Sequence, residues 1–251
     1  MNLSQEIGGG ENNKELNQNI NESPTHNNNK NNSEKKEETG VSQNDAQSSP
    51  EQSKREPSAQ EIEEAVSFAS SATGVRKDFI MGMLVVESDL GRNPGQCTYE
   101  EVEKGAEQAH LNGQLSYRAW NTFLERRNVF KKIASGLGYD YKGLKVSCNP
   151  SRYAGTGGAM GVPQFMPDTW LDYKDKVARI TGKKNPDPWN LKDGAVAMAV
   201  KLADVPGVVN HNYWSERNAA KMYLSGTTSW QYDWYANQIL YWADNYRQVL
   251  S

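Results

Sequence analysis

Aromatic residues are absent from the first 57 positions of this chain, and large apolar ones are reduced there to Met1, Leu3, Ile7, Leu16, Ile20 and Val41. Such a segment cannot bury enough apolar area to offset roughly 1–2 kcal/mol of backbone entropy per residue, so residues 1–57 are expected to form a disordered, low-complexity tail rich in Asn, Glu and Lys. All seven tryptophans follow it, and residues 58–251 suit one compact domain. A surplus of basic charge is also missing. The tail holds 6 basic and 10 acidic residues, against 28 and 31 in the whole chain, which leaves the remainder near neutral. That argues against nucleic acid as a partner, because phosphate binding draws on Lys and Arg in excess. No apolar run of about 20 residues exists, so no transmembrane segment is expected. The opening "MNLSQEIGGG" lacks the basic end and apolar stretch of a signal peptide, so the chain as written reads as cytosolic.

Cysteine and histidine are scarce. His26, His110 and His211 show no ligand spacing, and Cys97 and Cys148, 51 positions apart, fit no metal pattern. No metal and no cofactor are therefore expected. The two thiols have two readings: buried and reduced, or joined in one disulfide. The bridge would stabilise by about 4 kcal/mol on loop entropy and would need an oxidising compartment.

What is present is helical periodicity. Ser58 and Glu61 match a capping box ahead of Ile62, Ala65, Val66 and Ala69, and Thr73-Gly74 ends the run. Further helices are expected over about 76–88, 98–112 (Thr98 and Glu101 repeating the box), 116–137, 167–181, 190–204, 216–224 and 232–249. Period-two strands are scarce, and the fold class is mainly α.

One residue is out of place on the second helix. Glu87 lies four residues after Met83, three after Leu84 and seven after Ile80, which sets a carboxylate on or beside the apolar face. A Glu at a helix end usually turns outward. Here "ESDLGRNPG" closes the helix in a Gly- and Pro-containing turn that would open this face to a cleft. A carboxylic acid kept protonated by apolar neighbours is what general-acid cleavage of a glycosidic bond requires.

The run "GTGGAMGVPQFMPDTW" (155–170) resists two easy readings. A phosphate loop would need Gly-Lys-Ser/Thr after the glycines. A linker would lack Met160, Val162, Phe165, Met166 and Trp170. The third reading is a close-packed turn in which glycines admit positive φ and two prolines stiffen the frame around Gln164.

Taken together, "ES-x-LG", "GGAMGVPQFMP-x-TW", "PWNLKDGAVAMAVKLAD" and "A-x-x-Y-x-x-G" (Ala220, Tyr223, Gly226) resemble lytic murein transglycosylases. These are α-helical peptidoglycan-cleaving enzymes of the lysozyme-like superfamily, and the likeness is to the membrane-bound-type branch with the motif GAMGxxQFxP. It covers roughly residues 60–250. The resemblance implies a lysozyme-like helical domain with a substrate groove, and Glu87 as the single catalytic acid and base. It implies that Ser88 lies beside the reacting sugar and that Gly158, Ala159, Met160 and Gly161 form a wall near the scissile bond. It further implies that Gln164 contacts substrate and that Tyr223 approaches and holds the catalytic carboxyl. Leu224 stands where many relatives carry Asn.

The implied activity cleaves the β-1,4 bond between N-acetylmuramic acid and N-acetylglucosamine with formation of a 1,6-anhydromuramyl product. The substrate's N-acetyl group replaces a second carboxylate. Tyr153, Trp170, Tyr223 and Trp230 are candidates for packing on sugar faces, with core packing the more common reading for most of them. The implied partners are peptidoglycan glycan strands, with the protein acting as a monomer in the cell envelope, at odds with the missing export segment. Two alternatives stand beside this: a lysozyme that uses water, with Asp89 or Asp168 as second carboxylate, and an inactive glycan-binding module.

Overall fold

The computed structural model describes residues 55–150 and 157–250. The expected tail up to residue 54 and Tyr153 lie outside the described residues. Eight α-helices follow in order: α1 Ala59–Thr73, α2 Lys77–Ser88, α3 Tyr99–Leu111, α4 Tyr117–Gly136, α5 Pro167–Thr181, α6 Leu191–Ala203, α7 Tyr213–Ser225 and α8 Asp233–Asn245. Strands among the described residues are two short antiparallel pieces, β1 Cys97–Thr98 and β2 Lys145–Val146, with Cys97 opposite Val146. The domain is mainly α, as the periodicity implied.

Both capping boxes form: Ser58 and Thr98 accept from the backbone N–H of Glu61 and Glu101, whose carboxylates reach back. The seventh helix starts three residues earlier than expected, because Asn212 caps it by accepting from the Ser215 N–H. The eighth stops at Asn245, and a 3-10 turn over Tyr246–Gln248 takes the place of its last residues.

Two helices form the centre. In α6 every residue from Asp193 to Val200 is buried, and α2 is buried continuously from Phe79 to Leu84. A helix apolar all round is covered on all sides, and α1, α5, α7 and α8 supply that cover. α2 and α8 come together at Gly82, where an added Cβ would overlap the Ile239 carbonyl and lie 2.7 Å from the Ala243 nitrogen. This close approach holds the C-terminal end of α2, and with it Glu87, against α8. At the other end of α2 the Arg76 guanidinium grips the buried Glu216 of α7 with two bonds of 3.0 and 2.8 Å. An ion pair of this fork geometry fixes direction as well as distance.

Candidate active site

α2 ends abruptly. Asp89, Leu90 and Gly91 take φ of 49°, 59° and 82°, three left-handed residues in succession. For a non-glycine residue this conformation costs roughly 1–2 kcal/mol, offset here by the full burial of Leu90 and by its N–H bonding the Leu84 carbonyl at 2.9 Å. The reversal brings residues 93–96 back past the helix end. Ser88 is buried and accepts from the Gly91 N–H at 3.2 Å, while its carbonyl accepts from Asn93 at 2.9 Å. Ser88 therefore builds the turn, and it lines neither of the two hollows beside it.

Glu87, one residue earlier, is half-buried and sits where two hollows meet. The smaller, about 230 Å³, is lined by Glu87, Asn93, Gly95, Gln96, Ser147, Cys148 and Gln164. The larger, about 440 Å³, adds Lys201, Tyr223, Leu224, Tyr173 and Asp172 to Glu87 and Gln164. Burial pushes the Glu87 carboxyl up to about 7, against the opposing pull of a hydrogen bond from Tyr235 and of the Lys201 charge. The Tyr235 hydroxyl donates to Glu87 Oε1. Burial, and next the Glu87 charge, raises both Tyr235 and Tyr223 well above the ordinary tyrosine value, so both remain donors.

Two tyrosines thus come near the acid. Tyr223 lines the larger hollow, but its hydroxyl donates to the Pro163 carbonyl at 2.5 Å, and Tyr235 of α8 bonds the carboxyl.

The glycine-rich run is a frame. Ser147 makes backbone bonds to both Ala159 and Gly158 beyond β2, with the Ser147 N–H donating to the Ala159 carbonyl and the Gly158 N–H donating to the Ser147 carbonyl, both at 2.9 Å. Met160 N–H donates to Phe165 at 2.8 Å, closing the turn. Gly161 has φ 59°, and an added Cβ would overlap the Pro188 carbonyl. Gly158, Met160 and Gly161 are buried, and none of the expected wall, Ala159 included, lines either hollow. These residues work by holding Gln164, which does line both. Gln164 has φ 50°, and its amide nitrogen donates to the carbonyls of Pro94 (2.9 Å) and Gly161 (2.7 Å), while its amide oxygen has no hydrogen-bond partner among the described residues.

Cys97 and Cys148 are joined as a disulfide, with Cα atoms 5.0 Å apart, and Cys148 lines the smaller hollow. Trp170 is core, and Trp230, 77% exposed, lines neither hollow. Asp89 caps α2 at the surface, and Asp168 pairs with Arg126 at 2.9 Å; neither lines a hollow. Asp172, exposed on α5, is the other carboxylate of the larger one. Among the described residues no group of acidic, His and Cys side chains is arranged to hold a metal.

Sequence reasoning missed Tyr235 and Lys201. Lys201 carried a signal, being a charge inside the apolar run "AVAMAVKLAD". Tyr235 carried none, since a tyrosine on the inner face of a helix reads as core.

The transglycosylase SLT domain family matches residues 14–215 of the chain. Among solved structures, the chain is similar to the Escherichia coli lytic transglycosylase SLT35 in complex with bulgecin A, at 16% identity and a TM-score of 0.53, over 76% of this chain and 72% of that one. It is similar to SLT35 in complex with calcium at 22% identity and a TM-score of 0.44, over 59% and 42% of the two chains. For the soluble lytic transglycosylase SltB1 from Pseudomonas aeruginosa the values are 24% and 0.42, over 57% and 43%. In the last two the chain spans less than half of the solved protein. The first likeness shows the fold. No curated protein matches the chain significantly.

Proposed function

The chain belongs to the transglycosylase SLT domain family, and from that premise we propose that it cleaves peptidoglycan as a lytic transglycosylase, with Glu87 as both acid and base. The observation that carries this is a single carboxyl at the junction of two hollows, with its proton affinity raised by burial to about 7. A group so poised is protonated often enough to donate and ionised often enough to accept.

The Tyr235 hydroxyl occupies Oε1, which leaves Oε2 to carry the proton toward the groove. In the first step that proton goes to the glycosidic oxygen as the bond from C1 of the muramyl unit breaks, and the carbonyl oxygen of its N-acetyl group closes on C1. Tyr235 then holds the carboxylate that remains. In the second step Glu87 takes the proton of the muramyl 6-hydroxyl while that oxygen attacks C1 and displaces the acetamido oxygen. The 1,6-anhydro ring results, water is not consumed, and Glu87 ends protonated as it began. Closure depends on holding the 6-hydroxyl near attack geometry, a task for Gln164 and for the aromatic side of the larger hollow at Tyr173 and Tyr223.

Peptidoglycan lies in the cell envelope, and the Cys97–Cys148 disulfide supports an oxidising compartment. A second reading, hydrolysis with water, is favoured by one observation: Asp172 shares the larger hollow with Glu87. Product analysis separates the two. Purified sacculi digested with the protein are expected to release muropeptides ending in anhydromuramic acid, each one water lighter than its hydrolytic counterpart. Release of reducing muramic acid ends would establish the lysozyme reading.

A further inference from the structure

Lys201 is an odd cation for this fold. It lies on α6 between Val200 and Leu202, both buried, and its own side chain is half-buried. Its ammonium stands 4.3 Å from the ring centre of Tyr223 and 5.0 Å from that of Phe165, and donates to the Tyr223 carbonyl at 3.1 Å. Several cations of the domain have a carboxylate at ion-pair distance: Arg76 has Glu216, the buried Lys221 and the partly buried Arg217 share Asp233, and the exposed Lys183 has the buried Asp193. Among the described residues Lys201 has none. An ammonium carries three donors, and one is engaged.

The two hollows differ in the same sense. Apart from Glu87, the smaller is lined by neutral groups, whereas the larger holds Lys201, the exposed Asp172 and Arg126, the last already paired with Asp168. When Glu87 is protonated for the acid step, the one carboxylate charge that acts on Lys201 is gone, and Asp172, across the same hollow, is not at ion-pair distance from it. We infer that Lys201 receives a carboxylate carried by the sugar bound in the larger hollow, and so selects which sugar of an alternating strand sits there. This rests on the reading of the groove as a peptidoglycan site. In such a strand every second sugar bears an ether-linked lactyl group, a carboxylate when free and an amide when it carries a stem peptide with carboxylates of its own. Either source offers the same chemistry to an ammonium. The neutral partner sugar then falls in the smaller hollow, which lacks a lone cation.

The test is binding to the full chain carrying Glu87→Gln, which halts turnover. The probes are a glycan stripped of peptides, the same glycan with its lactyl carboxyls converted to methylamides, and a peptide-bearing glycan. Charge-assisted bonds of this kind correspond to about tenfold in affinity. The stripped or the peptide-bearing strand is expected to bind about tenfold more tightly than the methylamide. That gain is expected to vanish on adding Lys201→Gln, which keeps a donor for the Tyr223 carbonyl, and to return in part with Lys201→Arg. A gain on the stripped strand assigns the lactyl carboxylate, and a gain confined to the peptide-bearing strand assigns the stem. A gain that survives Lys201→Gln, or equal binding of all three strands before that change, overturns the role of Lys201 alone. Failure of every strand to bind overturns this inference together with the peptidoglycan reading.

Discussion

The two walls of the groove are built on different physics. The wall of α2 and α8 presents Glu87, and its chemistry comes from burial: apolar neighbours raise the carboxyl and one tyrosine hydroxyl orients it. The wall of residues 157–166 presents Gln164, and its precision comes from backbone geometry: positive φ at Gly158, Gly161 and Gln164, and main-chain bonds to Ser147 and Pro188. The first wall tolerates isosteric change in structure but not in chemistry. The second tolerates little change in structure, and its chemistry is one amide oxygen.

The sharpest way to break that contrast is Glu87→Gln. Turnover of sacculi is expected to fall by about three orders of magnitude, while circular dichroism and thermal melting show an intact fold. Loss of fold would move Glu87 into the structural wall. The counterpart on the other side is Gly161→Ala. A Cβ there combines a left-handed backbone with overlap on the Pro188 carbonyl, and a loss of roughly 3 kcal/mol or more is expected in denaturant titration. A loss under about 1 kcal/mol would show the frame to be softer than its bonds suggest.

Next in size is a pH effect confined to the acid wall. The Glu87 carboxyl binds its proton more tightly folded, with a value near 7, than at its ordinary 4.5. The folded state therefore retains the proton longer, and stability present below about pH 4.5 is lost as pH rises through about 7, by up to roughly 3 kcal/mol. Urea melts of the wild type should show this decline, and Glu87→Gln should flatten it. An unchanged decline would assign it to other groups. The smallest effect expected is that of Tyr235→Phe. It removes a bond that lowers the Glu87 value, so the falling limb of the pH–rate profile should move upward and turnover drop on the order of tenfold. A profile that stays in place would deny Tyr235 its part in the acid wall, and a shift with Tyr223→Phe instead would restore the expected assignment.

The same contrast governs how much was legible in the sequence. Helices with strong period and clear caps could be read to within a few residues, because Ser58–Glu61, Thr98–Glu101 and Pro167 are local signals. Glu87 stood out because a carboxylate on an apolar face contradicts its own helix. Lys201 broke the pattern of α6 in the same way and passes unnoticed only when read as a solvated charge. The burial of Gly158, Met160 and Gly161 was not legible, since a glycine that frames a groove and one that faces it have the same spelling. Nor was the partner of Glu87: Tyr223 and Tyr235 both reach the site from packed helices, and only the tertiary arrangement decides which hydroxyl meets the carboxyl. The disulfide was open for a similar reason, because 51 residues of separation say nothing of distance.

The central claim is that one carboxyl performs both proton transfers and that water takes no part. Digestion of sacculi in ¹⁸O-labelled water, with the products weighed by mass spectrometry, tests it most directly. Ring closure by the muramyl 6-hydroxyl predicts anhydromuramyl products with no label at C1. Label at C1 in the first-formed products would contradict it and give the second step to a water molecule.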